Sequence, residues 1–304
     1  TTCTQIDIID LFKGGFSTGH GVLREPNSIT TYSALTCIAI QSNQNDQHGG
    51  QAIVNFDYGM AEGIKKSYRK WYLKAIEEAL TLLTDVNVAD VMAQLKSLDH
   101  QPSLSCQNYA IEEKDVLMHN HISPQIIERI QKFASERAYQ DTDKETYQAM
   151  EALIHNLNTM NSRAGAQVPF SSLNYGMDTS VEGRMAIRNV LLATEAGLGG
   201  GETPIFPIQI FRVKEGINYQ KGEPNYDLFQ LACRVSAKRL FPNFSFVDAT
   251  FNKKYYKGTP ETEIAYMGCR TRVMGNIYNP TREISPRRGN LSFTSINLPR
   301  LAIK

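Results

Sequence analysis

The sequence predicts an α/β protein with a mainly helical first half and an alternating second half. Two observations carry that prediction. Between about residues 25 and 163, helix formers place apolar side chains at three- and four-residue spacing, the pattern of helices with one buried face. From about 164 to 304, strand-like and helix-like stretches alternate as β-α-β-α-β, which argues for parallel strands joined by helical crossovers, in a sheet or a barrel. No repeat at solenoid spacing and no linker divides the chain, so residues 1–304 are expected to form a single segment.

The elements follow in order. TTCTQIDIID opens the chain as a strand, and LFKGGFSTGHG follows as a loop by its glycines and small polar residues. Ser28 is the expected cap of a helix that runs to a stop at Gly49-Gly50. Phe56–Leu83 is expected as one long helix, with Val88–Leu98, Pro124–Tyr139 and Lys144–Asn161 as further helices. The last of these lines one side with Tyr147, Met150, Ile154, Leu157 and Asn161. QVPFSSLNYG gives a strand and loop, and Thr179-Ser180-Val181-Glu182 predicts a capping box opening a helix through Ala196. GLGGGETPIFPIQIFRV gives a glycine turn and a strand, EPNYDLFQLACRVSAKRLFP a helix, and NFSFVDATF a strand. A loop around Cys269 and a last strand, NLSFTSINL, close the chain.

Composition excludes several functions. Apolar residues make up 41% and charged residues 21%, the balance of a folded soluble protein. A net charge of +1 gives no electrostatic argument for a nucleic-acid or membrane partner. No apolar run approaches a bilayer span and no signal peptide is present, so the expected location is cytoplasmic. Five scattered cysteines are an odd number for a disulfide framework and favour a reducing compartment. Neither terminus carries a start methionine, a cap or a turn, so the chain is expected to belong to a longer one.

The candidate chemistry centres on thiols. GLGGGETP lacks the Lys-Ser/Thr of a phosphate loop and reads as a helix C-terminal turn. His119 and His121 lack further ligands at metal spacing and read as a solvated loop, and no metal site is expected. Cys37 and Cys233 sit in apolar helical contexts and read as core packing, and Cys106 lies in a polar loop. Cys3, at the start of a strand, and Cys269, between a glycine and an arginine in a loop between strands, occupy the places from which a side chain can point into a barrel or cleft. Residue type alone leaves Cys269 open between structural and catalytic roles.

Longer motifs narrow that choice. AYMGCRTRVMGN, RRGNLSFTSINLPRLAI, KGEPNYDLFQLA, SAKRLFPNF and ATEAGLGGGETPIFPIQIF together resemble the anaerobic (class III) ribonucleoside triphosphate reductases, which are glycyl-radical enzymes. LNTMNSRAGAQVPFSSLNYG and QSNQNDQHGGQ extend the resemblance over essentially the whole chain. It implies part of a ten-stranded α/β barrel, built of two antiparallel halves of parallel strands, with a finger loop through its centre. It further implies that Cys269 bears the radical, Cys3 is the second active-site cysteine and Asn290 is the polar partner beside the sugar. Thr271 is implied to assist. The helix start at Thr179 and Ser180 offers free backbone N–H groups to a substrate triphosphate, with an ordinary N-cap as the alternative. Lys70 lies near a family position that meets effector phosphate, with a solvated lysine as the alternative.

The cofactors implied are a glycyl radical on a C-terminal region, formate as reductant, ATP and deoxynucleotide effectors, and a structural zinc in that same C-terminal region. Neither that region nor the N-terminal ATP-binding module occurs in these 304 residues, so this polypeptide alone is expected to be inactive. The implied partners are ribonucleoside triphosphates, a radical-SAM activating enzyme and a second copy in a homodimer. Two other readings stand beside this one: another glycyl-radical enzyme, and a non-catalytic nucleotide-sensing remnant.

Overall fold

The computed structural model describes residues 2–162, 165–268, 271–291 and 295–303. In chain order the elements are β1 (Thr4–Ile6), α1 (Ile8–Leu11), β2 (Phe16–Ser17), β3 (Val22–Leu23), α2 (Ile29–Asp46), β4 (Gln51–Ile53) and α3 (Phe56–Leu83). Then come α4 (Val88–Lys96), α5 (Asn108–His119), α6 (Pro124–Thr159), β5 (Ser171–Tyr175), α7 (Val181–Ala196) and β6 (Ile208–Val213). The chain ends with α8 (Tyr226–Arg239), β7 (Asn243–Phe246), α9 (Thr250–Lys253) and α10 (Leu298–Ile303).

Strands β1, β4, β5, β6 and β7 form one sheet in that spatial order, and every pairing is parallel. Each neighbour pair is therefore joined by a helical crossover, as parallel strands require. The alternating second half thus forms the parallel arrangement expected of it, and β1 and β4 from the first half extend the same sheet. The described residues form five parallel strands rather than a closed ten-stranded barrel.

The two faces of the sheet differ because side chains alternate along a strand. Ile6, Ile53, Leu173, Tyr175 and Phe211 share the apolar face and pack in one core with α2, α6, α7 and α8 residues such as Ile40, Leu153, Val190 and Leu228. On the other face the register sets Gln5, Ala52 and Ser172 in one row, with Asn174 and Ile210 in a second. That face is polar yet buried, so some other part of the chain must cover it and meet its hydrogen-bonding groups. A second core of Tyr72, Ile76, Leu80, Leu95, Leu117, Ile127 and Ile130 ties α3 to α4, α5 and α6.

Several expectations are corrected. TTCTQIDIID, read as a strand, is one only over β1 and then turns into α1, and the segment read as a loop holds β2, which pairs with β3 in a short hairpin. The predicted Lys144–Asn161 and Pro124–Tyr139 helices are one helix, α6. Its polar middle is accommodated by Thr146, whose hydroxyl donates to Thr142 O (2.7 Å), and by Asp143, which meets Arg188 (2.7 Å) and Asn189 (2.8 Å) on α7. His119 ends helix α5 rather than lying in a loop, and both His119 and His121 are exposed. Cys233 is exposed on α8, so it is not core packing, whereas Cys37 is buried, which pushes its thiol up to about 12. The expected last strand is absent where described: Asn290, Leu291 and residues 295–297 are not in a strand, and Leu298 begins a helix. Ser292, Phe293 and Thr294 lie outside the described residues.

Candidate functional site

The polar face of the sheet is covered by residues 263–268, the approach to the Cys269 loop. Gln5 Nε2 on β1 donates to Ala265 O (3.2 Å). Asn174 on β5 takes the Tyr266 N–H on Oδ1 (2.8 Å), and its Nδ2 donates to Tyr266 O (2.9 Å) and to Ile53 O (3.1 Å). Ser172 Oγ accepts the Gly268 N–H (3.3 Å). Ala52 stands between Gln5 and Ser172 in the row, and its short side chain leaves space for the passing backbone. Just beyond Gly268, Met267 and Thr271 exchange both backbone hydrogen bonds (2.8 and 3.2 Å). Cys269 and Arg270, between them, lie outside the described residues.

Cys3 immediately precedes β1 and is half-buried. Its Sγ accepts the Gly50 N–H (3.2 Å), and the Thr4 N–H donates to Gly50 O (3.0 Å). Gly50 in turn lies against Gly268: a Cβ on Gly50 would stand 2.6 Å from Gly268 Cα. Glycine is required here by close backbone approach. The chain on one side of Cys269 and the backbone that binds the Cys3 sulfur are thus in direct contact.

Asn290 reaches the same place from the other edge of β1. Its N–H donates to Cys3 O (3.0 Å) and its carbonyl accepts from Thr2 N (2.9 Å). Further along, Arg287 N donates to Gln5 O (2.9 Å) and Arg288 O accepts from Gln5 N (2.8 Å), two residues opposite one, which is a bulge in an antiparallel pairing. Gly289 permits this closeness, since a Cβ there would fall 2.6 Å from Cys3 O.

The base of the 263–268 segment is anchored by buried charge. Arg212, fully buried on β6, pairs with Glu263 (2.7 Å) and with Asp57 of α3 (3.3 Å). Asp57 Oδ2 also accepts the N–H groups of Gly176 (2.8 Å), Met177 (3.0 Å) and Asp178 (3.1 Å). Tyr58 donates to Glu263 (2.8 Å). One guanidinium is shared by two carboxylates, and burial pushes the Glu263 carboxyl up to about 7 against the pull of Arg212. Sequence reading did not single out Asp57, Arg212 or Glu263; charged residues inside otherwise apolar stretches were the available signal.

The remaining candidates are more exposed. The N-cap of α7 is Ser180, whose Oγ accepts from Gly183 N (3.0 Å). The predicted box from Thr179 to Glu182 is therefore not formed. Thr179 is exposed and Glu182 is turned inward and buried. Ser180 lines a cavity of about 550 Å³ with Tyr58, Lys13, Lys65, Lys66 and Asp178. Thr271 is exposed. Lys70 is exposed on α3 with its Nζ 5.1 Å from the centroid of the Trp71 ring, and shares a cavity of about 440 Å³ with Lys66 and Arg69. Among the described residues no three His, Cys, Asp or Glu side chains converge as metal ligands, and no helix is long and apolar enough to cross a membrane.

The profile of a family described as anaerobic ribonucleoside-triphosphate reductase matches residues 1–304. Proteins of that name resemble the chain from Escherichia coli, with 29% identity over 99% of this chain, and Haemophilus influenzae, with 28% over 99%. The protein of that name from Enterobacteria phage T4 is 28% identical over 100% of this chain. The matched span is 34% of the two bacterial relatives and 41% of the phage one, so the chain spans between about a third and two-fifths of their length.

Proposed function

Because the chain belongs to the anaerobic ribonucleoside-triphosphate reductase family, we propose that it carries the thiol machinery with which the whole protein reduces ribonucleoside triphosphates to 2′-deoxyribonucleoside triphosphates. The observation that carries this reading is the contact of Gly268 with Gly50, whose N–H binds Cys3 Sγ, which sets the approach to Cys269 beside Cys3.

In this reading Cys269 is the hydrogen-abstracting residue, Cys3 the hydrogen donor and Asn290 the group that holds the sugar hydroxyls. The groups that hold the 265–268 backbone are amides and a hydroxyl, Gln5, Asn174 and Ser172, which bind without charge. A glycyl radical belonging to the rest of the protein supplies the unpaired electron. Cys269, as a thiyl, takes the hydrogen from the 3′ carbon: the C–H bond breaks, an S–H bond forms and the carbon keeps one electron. The 3′-hydroxyl then loses its proton and the 2′-oxygen leaves as water with a proton supplied nearby; Cys3 gives its hydrogen atom to C2′ and becomes a thiyl. Formate returns a hydrogen atom to Cys3 and passes its remaining electron, with a proton, to the 3′ carbonyl, leaving as carbon dioxide, and Cys269 gives its hydrogen back to C3′. The Asn290 carboxamide both donates and accepts, so it orients the hydroxyls without adding charge.

The Ser180 end of α7, with Thr179 beside it and Lys13, Lys65 and Lys66 across the cavity, is the proposed seat of the triphosphate. Lys70, with Lys66 and Arg69, forms the proposed effector-phosphate surface, and Thr271 assists beside Cys269. Formate is the proposed final reductant, a radical-SAM enzyme the proposed activator, a homodimer the proposed assembly and a ten-stranded barrel the proposed fold of the complete protein.

The test is Cys269→Ser in the full-length, anaerobically activated protein. Turnover is expected to vanish while effector binding persists; measurable ribonucleotide reduction by that variant would remove Cys269 from its role.

A further inference from the structure

We infer that Asn174 is a positioning residue for the Cys269 thiol, acting through the backbone of Tyr266, with Ser172 as its auxiliary. The inference rests on the reading of Cys269 given above. Asn174 is fully buried, and its carboxamide engages both the N–H and the C=O of one residue, Tyr266 (2.8 and 2.9 Å). That two-point contact copies the pair of bonds a neighbouring strand gives to a single residue. The second Nδ2 hydrogen reaches Ile53 O on β4 (3.1 Å), so the same side chain is itself fixed to the sheet. Two residues earlier on the same face of β5, Ser172 holds Gly268 (3.3 Å). The two bonds thus fall three residues and one residue before Cys269.

The placement has a chemical consequence. Residues 265–268 contribute no strand to the sheet, so their position over its polar face depends on side chains instead of a ladder. Hydrogen abstraction depends steeply on the separation of the reacting atoms, and a shift of about 1 Å lowers a rate about 100-fold. The bonds to Tyr266 and Gly268 fix the chain that leads into Cys269.

The experiment uses the full-length protein with its radical installed. Asn174→Ala and Ser172→Ala are assayed for kcat, for the KM of the ribonucleotide, for radical content by electron paramagnetic resonance, and for the deuterium isotope effect with substrate labelled at C3′. Asn174→Ala is expected to lower kcat about 100-fold with KM and radical content retained, and to raise the isotope effect because abstraction becomes slower relative to other steps. Ser172→Ala is expected to show the same signature in smaller degree. A purely structural role would lower kcat in proportion to the active fraction and leave the isotope effect unchanged, which overturns the inference, as does wild-type kcat in Asn174→Ala. If Asn174→Ala does not fold, Ser172→Ala decides by the same criteria. Cys269→Ser runs alongside: turnover in that variant refutes the reading of Cys269, whereas an inactive Cys269→Ser beside an unaffected Asn174→Ala refutes only the positioning role.

Discussion

Replacing Gly50 with alanine adds one methyl group at the contact between the Cys3 region and the approach to Cys269. The new Cβ would stand 2.6 Å from Gly268 Cα and 2.9 Å from Phe170 Cδ1. Carbon atoms pack at about 3.5–4.0 Å, so the two backbones must part by about 1 Å. Phe170 offers little relief, because its ring is stacked edge-on against Phe206 (5.3 Å between centroids). Overpacking of this size costs about 1–3 kcal/mol, which lowers stability without unfolding the protein. The same displacement at a site of hydrogen transfer lowers turnover about 100-fold. The assay compares kcat and thermal unfolding of Gly50→Ala with Gly199→Ala, a glycine where an added Cβ meets nothing within 4 Å. Turnover in Gly50→Ala within a factor of two of the control would refute the reasoning that this contact sets the geometry between Cys3 and Cys269.

Two further predictions concern buried charge. Arg212→Met leaves the Asp57 and Glu263 carboxylates inside the protein without their cation, and is expected to cost about 3–5 kcal/mol in denaturant unfolding. That loss shrinks as pH falls below about 7, because a protonated Glu263 no longer needs the guanidinium; a loss that is constant with pH would contradict the pairing. Glu113 is buried in the helical part beside Tyr72, whose hydroxyl donates to it (2.8 Å), and burial raises its carboxyl to about 7 from an ordinary 4.5. The folded state therefore holds this proton over a range where the unfolded chain has lost it, and stability falls as pH rises between those values. The full effect is about 3 kcal/mol. Glu113→Gln should remove that part of the pH dependence of unfolding, and an identical slope in the two proteins would count against it.

What the sequence made legible follows from periodicity. α3 was readable because its apolar residues recur at three- and four-residue spacing, and α2 because Ser28 and Thr31 bond each other's backbone N–H groups at its start. α7 was readable from the Thr179–Glu182 pattern, although Ser180 is the cap. Strand β4 was not, because three residues buried on both faces show no alternation. α6 looked like two helices because Gln140–Asp143 is polar, yet Thr142 is buried and Asp143 is paired with α7. Cys3 stood out by its place at the start of a strand, but its role, and Asn290 altogether, could be read only through resemblance to a family. The groups that hold the 263–268 segment were hidden for a different reason. Gln5, Ser172 and Asn174 look like ordinary polar residues in short strands, and their common row appears only when the parallel register brings β1, β4 and β5 together. The glycines gave a usable signal: Gly49-Gly50 was read as a helix stop, whereas Gly50 serves a backbone crossing with Gly268.

The central claim is that the Cys3 and Cys269 thiols face one shared pocket. In the full-length protein, a short bifunctional thiol reagent followed by peptide mapping tests it directly. The account predicts a cross-link joining the Cys3 peptide to the Cys269 peptide, suppressed by bound ribonucleoside triphosphate. Separate modification of the two cysteines, or a cross-link from Cys3 to exposed Cys106 or Cys233 in its place, would contradict it.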